Sequence, residues 1–213
     1  MEQSSGDVLV LGIGNLLWAD EGFGVRAVEA FNDFYVAPPG VWLLDGGTQG
    51  LNLLDAVLDR SGVIVFDAID FGLAPGTLKV LRGTEVPAWA GTKMSLHQSS
   101  FQELLAIAEL QGRSPARLTL IGVQPQRLSD FGGSLSDCVR EQLPAAVELA
   151  AQELAAWGRR PDRRTAPGPR LNDHSLAIDA YETNRPDQHA ACRVGDARFL
   201  NLRYARQLDG GTD

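Results

Sequence analysis

Three side chains far apart in the sequence, Glu21, Asp67 and His97, stand where apolar runs end. The segment Val8-Leu9-Val10-Leu11-Gly12-Ile13-Gly14 leads through Asn15-Leu16-Leu17-Trp18-Ala19 to the carboxylate pair Asp20-Glu21, just ahead of a helical pattern. Val63-Ile64-Val65-Phe66 delivers Asp67, and the loop-like stretch Lys93-Met94-Ser95-Leu96-His97-Gln98 carries the only histidine of the first 158 residues. Open α/β sheets keep their sites at the carboxyl ends of strands, so these three groups are expected to converge there. Two carboxylates and an imidazole form an oxygen, oxygen, nitrogen set that neutralises a borderline divalent ion and leaves positions open for water or a substrate carbonyl. Such a metal could polarise a peptide carbonyl or lower the pKa of bound water, with Asp20 as a spare acid to handle protons.

Each residue also has a plainer reading. Acids in a helix's first turn complement the macrodipole and cap free amides, which would account for Asp20 and Glu21. Asp67 can cap the turn Ala68-Ile69-Asp70, and a lone histidine in a loop is ordinarily a hydrogen-bonded surface residue. What raises the metal reading above these is the three occurring together at strand ends.

The elements that must position them follow from periodicity. Apolar β-branched runs alternate with helical patterns, which predicts an α/β layered domain. Strands are expected near Val8 to Gly12, Val41 to Asp45, Gly62 to Asp67, Thr77 to Arg82 and Leu118 to Val123. Helices are expected near Glu21 to Phe34, Gly50 to Leu58, Ser99 to Leu110 and Ser136 to Trp157, with Ser99 or Ser100 as the cap of the third. In the first, Val25, Val28 and Phe31 recur at helical spacing. Asp45-Gly46-Gly47-Thr48-Gln49-Gly50 follows the second strand, and its glycines permit close backbone approach to an extended peptide, with Asp45 at the edge. Leu120-Ile121-Gly122-Val123-Gln124-Pro125 closes the last strand with a rigid turn that would shape a cleft wall.

Several classes are disfavoured. Gly12-Ile13-Gly14 after a strand is half a dinucleotide fingerprint, but Leu17 stands at the third glycine position, Asp45 comes 31 residues after Gly14, and Asp20 and Glu21 would repel a pyrophosphate. There is no Gly-x-Ser-x-Gly elbow and no His-Glu-x-x-His helix. Cys138 and Cys192 are the only cysteines and lack metal-ligand spacing, so neither a disulfide framework nor a thiolate site is expected. No apolar run approaches the roughly 20 residues of a membrane helix, and the N-terminus lacks a secretory signal, so a cytoplasmic location is expected.

Charge divides the chain. Residues 1–158 hold 9 basic against 19 acidic side chains, a net −10, whereas residues 159–213 hold 10 against 8. The acidic part repels nucleic acid and anionic membranes. We therefore expect a 1–158 α/β domain followed by a 159–213 extension that opens with five arginines and three prolines in twelve residues, a linker composition, and whose remainder, with little periodicity, is open to three readings: disorder, docking on the body, or contact with a partner.

The motifs Gly-Ile-Gly-Asn-Leu-Leu-Trp-Ala-Asp-Glu-Gly-Phe-Gly, Leu-Asp-Gly-Gly-Thr-Gln-Gly, Phe-Asp-Ala-Ile-Asp, His97-Gln98 and Ile-Gly-Val-Gln-Pro occur in this order between Val8 and Trp157. Together they resemble the hydrogenase maturation proteases, endopeptidases that remove a C-terminal peptide from the large subunit of nickel-iron hydrogenase after nickel insertion, and the likeness is nearest to those paired with membrane-bound uptake hydrogenases. The resemblance implies a three-layer α/β/α sandwich around a twisted five-stranded mixed sheet with one antiparallel strand, for which Thr77 to Arg82 is our choice because no helix separates it from Asp67. It implies metal contacts by Glu21, Asp67 and His97, the set picked above on chemistry; with Asp20, the spare acid of that chemical reading, Glu21 and Asp67 are our candidate catalytic groups. It implies substrate recognition by Asp45, Gly46 and Gly47. The nickel would be supplied by the precursor, and the attacking water would be activated by metal or by carboxylate. The implied partner is the large-subunit precursor, met by a monomer, with other assembly factors as further candidates. The alternative is a non-catalytic nickel-sensing scaffold. The extension 159–213 lies outside the resemblance.

Overall fold

The computed structural model describes residues 6–88 and 96–184, the side chains of 87, 88 and 96–100 excepted. In chain order its strands are β1 (Val8–Ile13), β2 (Tyr35–Val36), β3 (Val41–Gly47), β4 (Gly62–Ala68), β5 (Leu78–Arg82), β6 (Leu118–Val123) and β7 (Asp162–Arg163). Its helices are α1 (Phe23–Phe34), α2 (Leu54–Val57), α3 (Glu85–Ala88), α4 (Leu96–Leu110), α5 (Asp137–Arg140), α6 (Leu143–Ala156) and α7 (Ile178–Asn184).

Five strands form the main sheet in the order β3-β1-β4-β6-β5. The first four are parallel, and β5 runs antiparallel to β6. Central β1 and β4 are buried at every position, as a parallel strand covered on both faces must be, and they read as unbroken apolar runs until Asp67. Only nine residues separate Ala68 from Leu78, too few for a parallel return crossover, so β5 comes back antiparallel. The expected fold class, strand set and antiparallel strand are all found.

Strand alternation divides the core between two faces. Val8, Val10, Ile64, Phe66 and Ile121 pack with Phe23, Ala27, Val28 and Phe31 of α1 and with Ala146, Val147, Ala150 and Leu154 of α6. Leu9, Leu11, Val63, Val65 and Leu120 pack with Val57 of α2 and Phe101, Leu104 and Leu105 of α4 on the other face. Helices on both faces give the three layers.

Helix ends differ from the sequence expectation. A 3-10 turn at Ala19–Gly22 precedes α1, and neither it nor α1 has a side-chain cap, so Asp20 and Glu21 are not helix caps. Helix α4 already starts at Leu96, which puts Ser99 and Ser100 inside it rather than at its cap. The helix expected over Ser136 to Trp157 is two pieces, with Pro144 in the opening turn of the second, where a missing N–H costs nothing.

The linker-like stretch after Trp157 does not leave the body. Strand β7 pairs with β2, Tyr35 opposite Arg163. Arg164 donates from N and Nε to the carbonyls of Phe34, Asn32 and Tyr35, closing the C-terminal end of α1. Asn32 Nδ2 donates to Pro169 O at 2.6 Å and Arg26 Nη1 to Leu176 O, so the chain runs back along α1 as far as α7. Arginines that look like a solvated linker in composition serve as donors to backbone carbonyls. Residues 185–213 lie outside the described residues.

Candidate active site

Glycines set the geometry at the carboxyl end of the sheet. A Cβ on Gly24 would stand 2.1 Å from Ile13 O and 2.2 Å from Phe66 O, and one on Gly12 would stand 2.2 Å from Gly24 O. The first turn of α1 is therefore seated directly on the ends of β1 and β4, closer than any side chain permits. Gly14 takes φ +142 with the Glu21 carbonyl closed over it, and Asn15 N donates to that carbonyl. The half-fingerprint of glycines thus serves helix-on-sheet contact and turn closure. Its consequence is to lay the Ala19–Gly22 turn against β4, with Glu21 half-buried just before the helix.

Asp67 ends β4 and is 2% exposed. Its Oδ1 accepts from Ala68 N at 2.8 Å, the local turn contact expected of a strand-end aspartate. By alternation along the strand it faces the α4 side, where it shares a cavity of about 20 Å³ with Ile13, Ile69, Phe101, Gln102, Leu105 and others, a space for one ion or water. His97 is the second residue of α4, one turn before Phe101. Its side chain lies outside the described residues, as do Lys93, Met94 and Ser95 altogether. So the backbone brings the element carrying His97 to the side that Asp67 faces.

Asp45 and the glycine loop come from β3. Gly12 is level with Asp45 and Ile13 with Gly47, so Gly46 is a bulged extra residue, and a Cβ on it would meet Leu11 Cδ1 at 2.7 Å. Asp45 Oδ1 accepts from Gly47 N at 2.9 Å, and Gly47 has φ +46. Asp45 and Phe66 both pair with Gly12, which puts them two strand spacings, roughly 10 Å, apart on the same face. Asp45 therefore points to the α1 side and Asp67 to the α4 side, on opposite faces of one sheet edge.

Asp20 differs from its neighbour. It is fully buried, and its carboxylate accepts from Gln126 N, Arg127 N, Ser136 N and Ser136 Oγ, all within 2.7 to 2.9 Å. Asp20 N in turn donates to Arg127 O. This residue fastens the loop after β6 to the turn that bears Glu21. Gln124, 6% exposed, does the same for the loop after Asp67: its Oε1 accepts from Phe71 N and Leu73 N, and its Nε2 donates to Asp70 Oδ1.

A profile of the hydrogenase maturation protease family matches residues 25–153. The chain belongs to the hydrogenase maturation protease family. The protease is 51% identical to the hydrogenase expression/formation protein HupD of Thiocapsa roseopersicina over 98% of its own length and 96% of that protein's. It is 43% identical to the hydrogenase 2 maturation protease of Escherichia coli, over 71% of its own length and 92% of the relative. Among solved structures, the E. coli maturating endopeptidase HybD superposes with a TM-score of 0.71 and 39% identity, covering 75% of this chain and 98% of HybD. A HybD from Thermococcus kodakarensis follows at 0.56 and 28%, covering 70% and 99%. These relatives place the protease among endopeptidases of hydrogenase maturation and set the scaffold alternative aside. They also differ in reach, since the HupD match takes in nearly the whole chain while three quarters of it suffice to cover HybD.

Sequence reasoning missed the tethering roles of Ser136, Gln124 and Asn172, whose long-range bonds span 51 to 143 positions. No periodicity signals such pairs. The one readable hint was Gln124 itself, an amide directly after an apolar strand. Among the described residues no helix is long and apolar enough to cross a membrane.

Proposed function

We propose that the protease cuts the C-terminal peptide from the nickel-loaded precursor of a nickel-iron hydrogenase large subunit of the uptake type, gripping the precursor's nickel with Glu21, Asp67 and His97. The nickel is cargo of the substrate, so the grip reports that the metal has been inserted. The observation carrying this reading is the convergence at one sheet edge: buried Asp67 facing α4, the start of α4 carrying His97, and the turn with Glu21 laid against the end of β4. Two carboxylates and an imidazole suit a borderline divalent ion and leave it positions for other ligands.

On this reading Asp20 positions Glu21, because all four donors to its carboxylate lie on the wall formed by residues 126 to 136. Asp45, Gly46 and Gly47 receive the precursor's extended tail at the end of β3, the edge strand of the sheet. The protease acts in the cytoplasm as a monomer.

The test is cell-free processing of nickel-loaded precursor, read by the mass of its C-terminus. Glu21→Ala, Asp67→Ala and His97→Ala should each abolish cleavage while retaining a cooperative thermal transition. Wild-type cleavage by all three variants refutes the grip.

A further inference from the structure

The extension reaches the proposed recognition loop. Asn172 Nδ2 donates to Asp45 Oδ2 at 2.7 Å and to Glu29 Oε1 at 3.1 Å, while Glu29 Oε2 pairs with Arg26 Nη1 at 2.8 Å. Arg26 is 5% exposed, holds Leu176 O with the same guanidinium, and lies 5.8 Å from the ring centroid of Tyr181. At the far end, Glu182 of α7 accepts from Arg140 and from Ser134 Oγ. The strap is therefore tied to both sides of the sheet edge: through Asn172 to the β3 loop, and through Glu182 to the 134–140 segment that Asp20 holds at Ser136.

We propose that Asn172 is a positioning residue for the precursor, acting through Asp45. With Oδ1 engaged by Gly47 N and Oδ2 by Asn172, the Asp45 carboxylate cannot rotate, and each oxygen keeps a second lone pair for an N–H or cationic group of the precursor's tail. A carboxylate fixed in advance binds without the entropy cost of ordering it on contact. Two further observations support this. Three acidic or amide side chains, Glu29, Asp45 and Asn172, share one junction, and the amide is the only donor of the three. The match to HupD of Thiocapsa roseopersicina spans 98% of this chain, so the strap belongs to that kind of protease, whereas HybD is covered to 98% by only 75% of it.

The inference rests on Asp45 receiving the precursor, and the experiment separates the two. Processing kinetics of nickel-loaded precursor are measured for the full chain, Asn172→Ala, Asp45→Ala, the double variant, and Glu182→Gln as a strap control remote from Asp45. Asn172→Ala should raise KM about tenfold, the size expected for one hydrogen bond to a charged group, with kcat within about twofold. In the Asp45→Ala background the same change should do nothing further, because a residue acting through Asp45 has nothing left to position. Glu182→Gln should lower Tm and leave KM unchanged. Should Asn172→Ala fail to fold, Asn172→Leu keeps the size and removes the donor without adding charge, and the same KM rise is expected. An unchanged KM in the Asn172 variant, additive effects with Asp45→Ala, or an equal KM rise in Glu182→Gln overturns the inference. A lowered KM also overturns it, in favour of a strap that shields Asp45. Normal kinetics for Asp45→Ala overturn instead the reading on which it rests.

Discussion

Asp20 and Ser136 are 116 residues apart in sequence and joined by hydrogen bonds from both the amide and the hydroxyl of the serine. The bond pair closes the loop after β6 onto the turn after β1. Its cost is a buried carboxylate, and its gain is four satisfied donors on the carboxylate's two oxygens.

Asp20→Ala leaves the Gln126, Arg127 and Ser136 amides without their acceptor in a buried site, at about 1 to 3 kcal/mol for each group that water cannot reach. We expect a loss of about 3 kcal/mol in urea unfolding and a large fall in processing. Asp20→Asn keeps one acceptor oxygen and should lose about half as much. If Asp20 instead carries protons, Asp20→Asn will abolish cleavage at that same modest loss of stability, whereas a positioning role predicts only a partial fall in processing.

Gly24 tests the seating of α1. Gly24→Ala drives a methyl into the backbone carbonyls of Ile13 and Phe66, neither of which can step aside, so α1 must lift from the sheet at about 3 kcal/mol or more. Gly132 is the comparison. It has φ +75 with nothing within 4 Å of an added Cβ, so Gly132→Ala meets only the strain of a left-handed backbone, about 1 kcal/mol. Equal Tm losses in the two variants would show that contact at Gly24 is not what matters.

The strands, their order of burial and the antiparallel β5 were legible because each is a local pattern: an apolar run, its length, and the brevity of the connection after Ala68. The positions of Asp67 at the end of β4 and of Glu21 in the turn before α1 were legible for the same reason, as polar residues following apolar runs. The role of Asp20 was not, since two adjacent acids look alike in sequence and only the loop arriving from residue 126 distinguishes them. Which reading holds for the start of the extension was not legible, because an arginine that donates to the end of a helix has the same composition as one in solvent, and Arg164 does the former.

Gln124 should control the loop that follows Asp67. Gln124→Leu retains the size but leaves Phe71 N and Leu73 N without the amide oxygen that receives them, and removes the donor facing Asp70. We expect about 2 kcal/mol of destabilisation and faster hydrogen exchange confined to residues 69–76. Protection that falls evenly across the sheet would contradict so local a role.

Tyr35 and Glu148 give a pH signature. Tyr35 OH donates to Glu148 Oε2 at 2.7 Å, and Arg163 donates to the same oxygen. The tyrosine bond, then Gln152 and Arg163, hold the Glu148 carboxyl below the ordinary carboxylate range, while burial and then Glu148 push Tyr35 above the ordinary tyrosine range. A depressed carboxylate contributes stability that is present above its unfolded pKa and lost as pH falls through the lower folded value. A raised tyrosine contributes stability that is present below its unfolded pKa and lost as pH rises through the higher folded one. The contact is therefore worth most between the two ranges. Because the Glu148 side chain is 43% exposed, Tyr35→Phe should cost only about 0.5 to 1 kcal/mol at neutral pH, roughly 2 °C in Tm. The gap between wild type and variant should narrow below the carboxylate range, and the Glu148 carboxyl shift followed by NMR should titrate higher in the variant. A gap that stays constant down to pH values where Glu148 is protonated would place the stabilisation in the packing of the Tyr35 ring against Phe31, 5.3 Å away, and not in the hydroxyl.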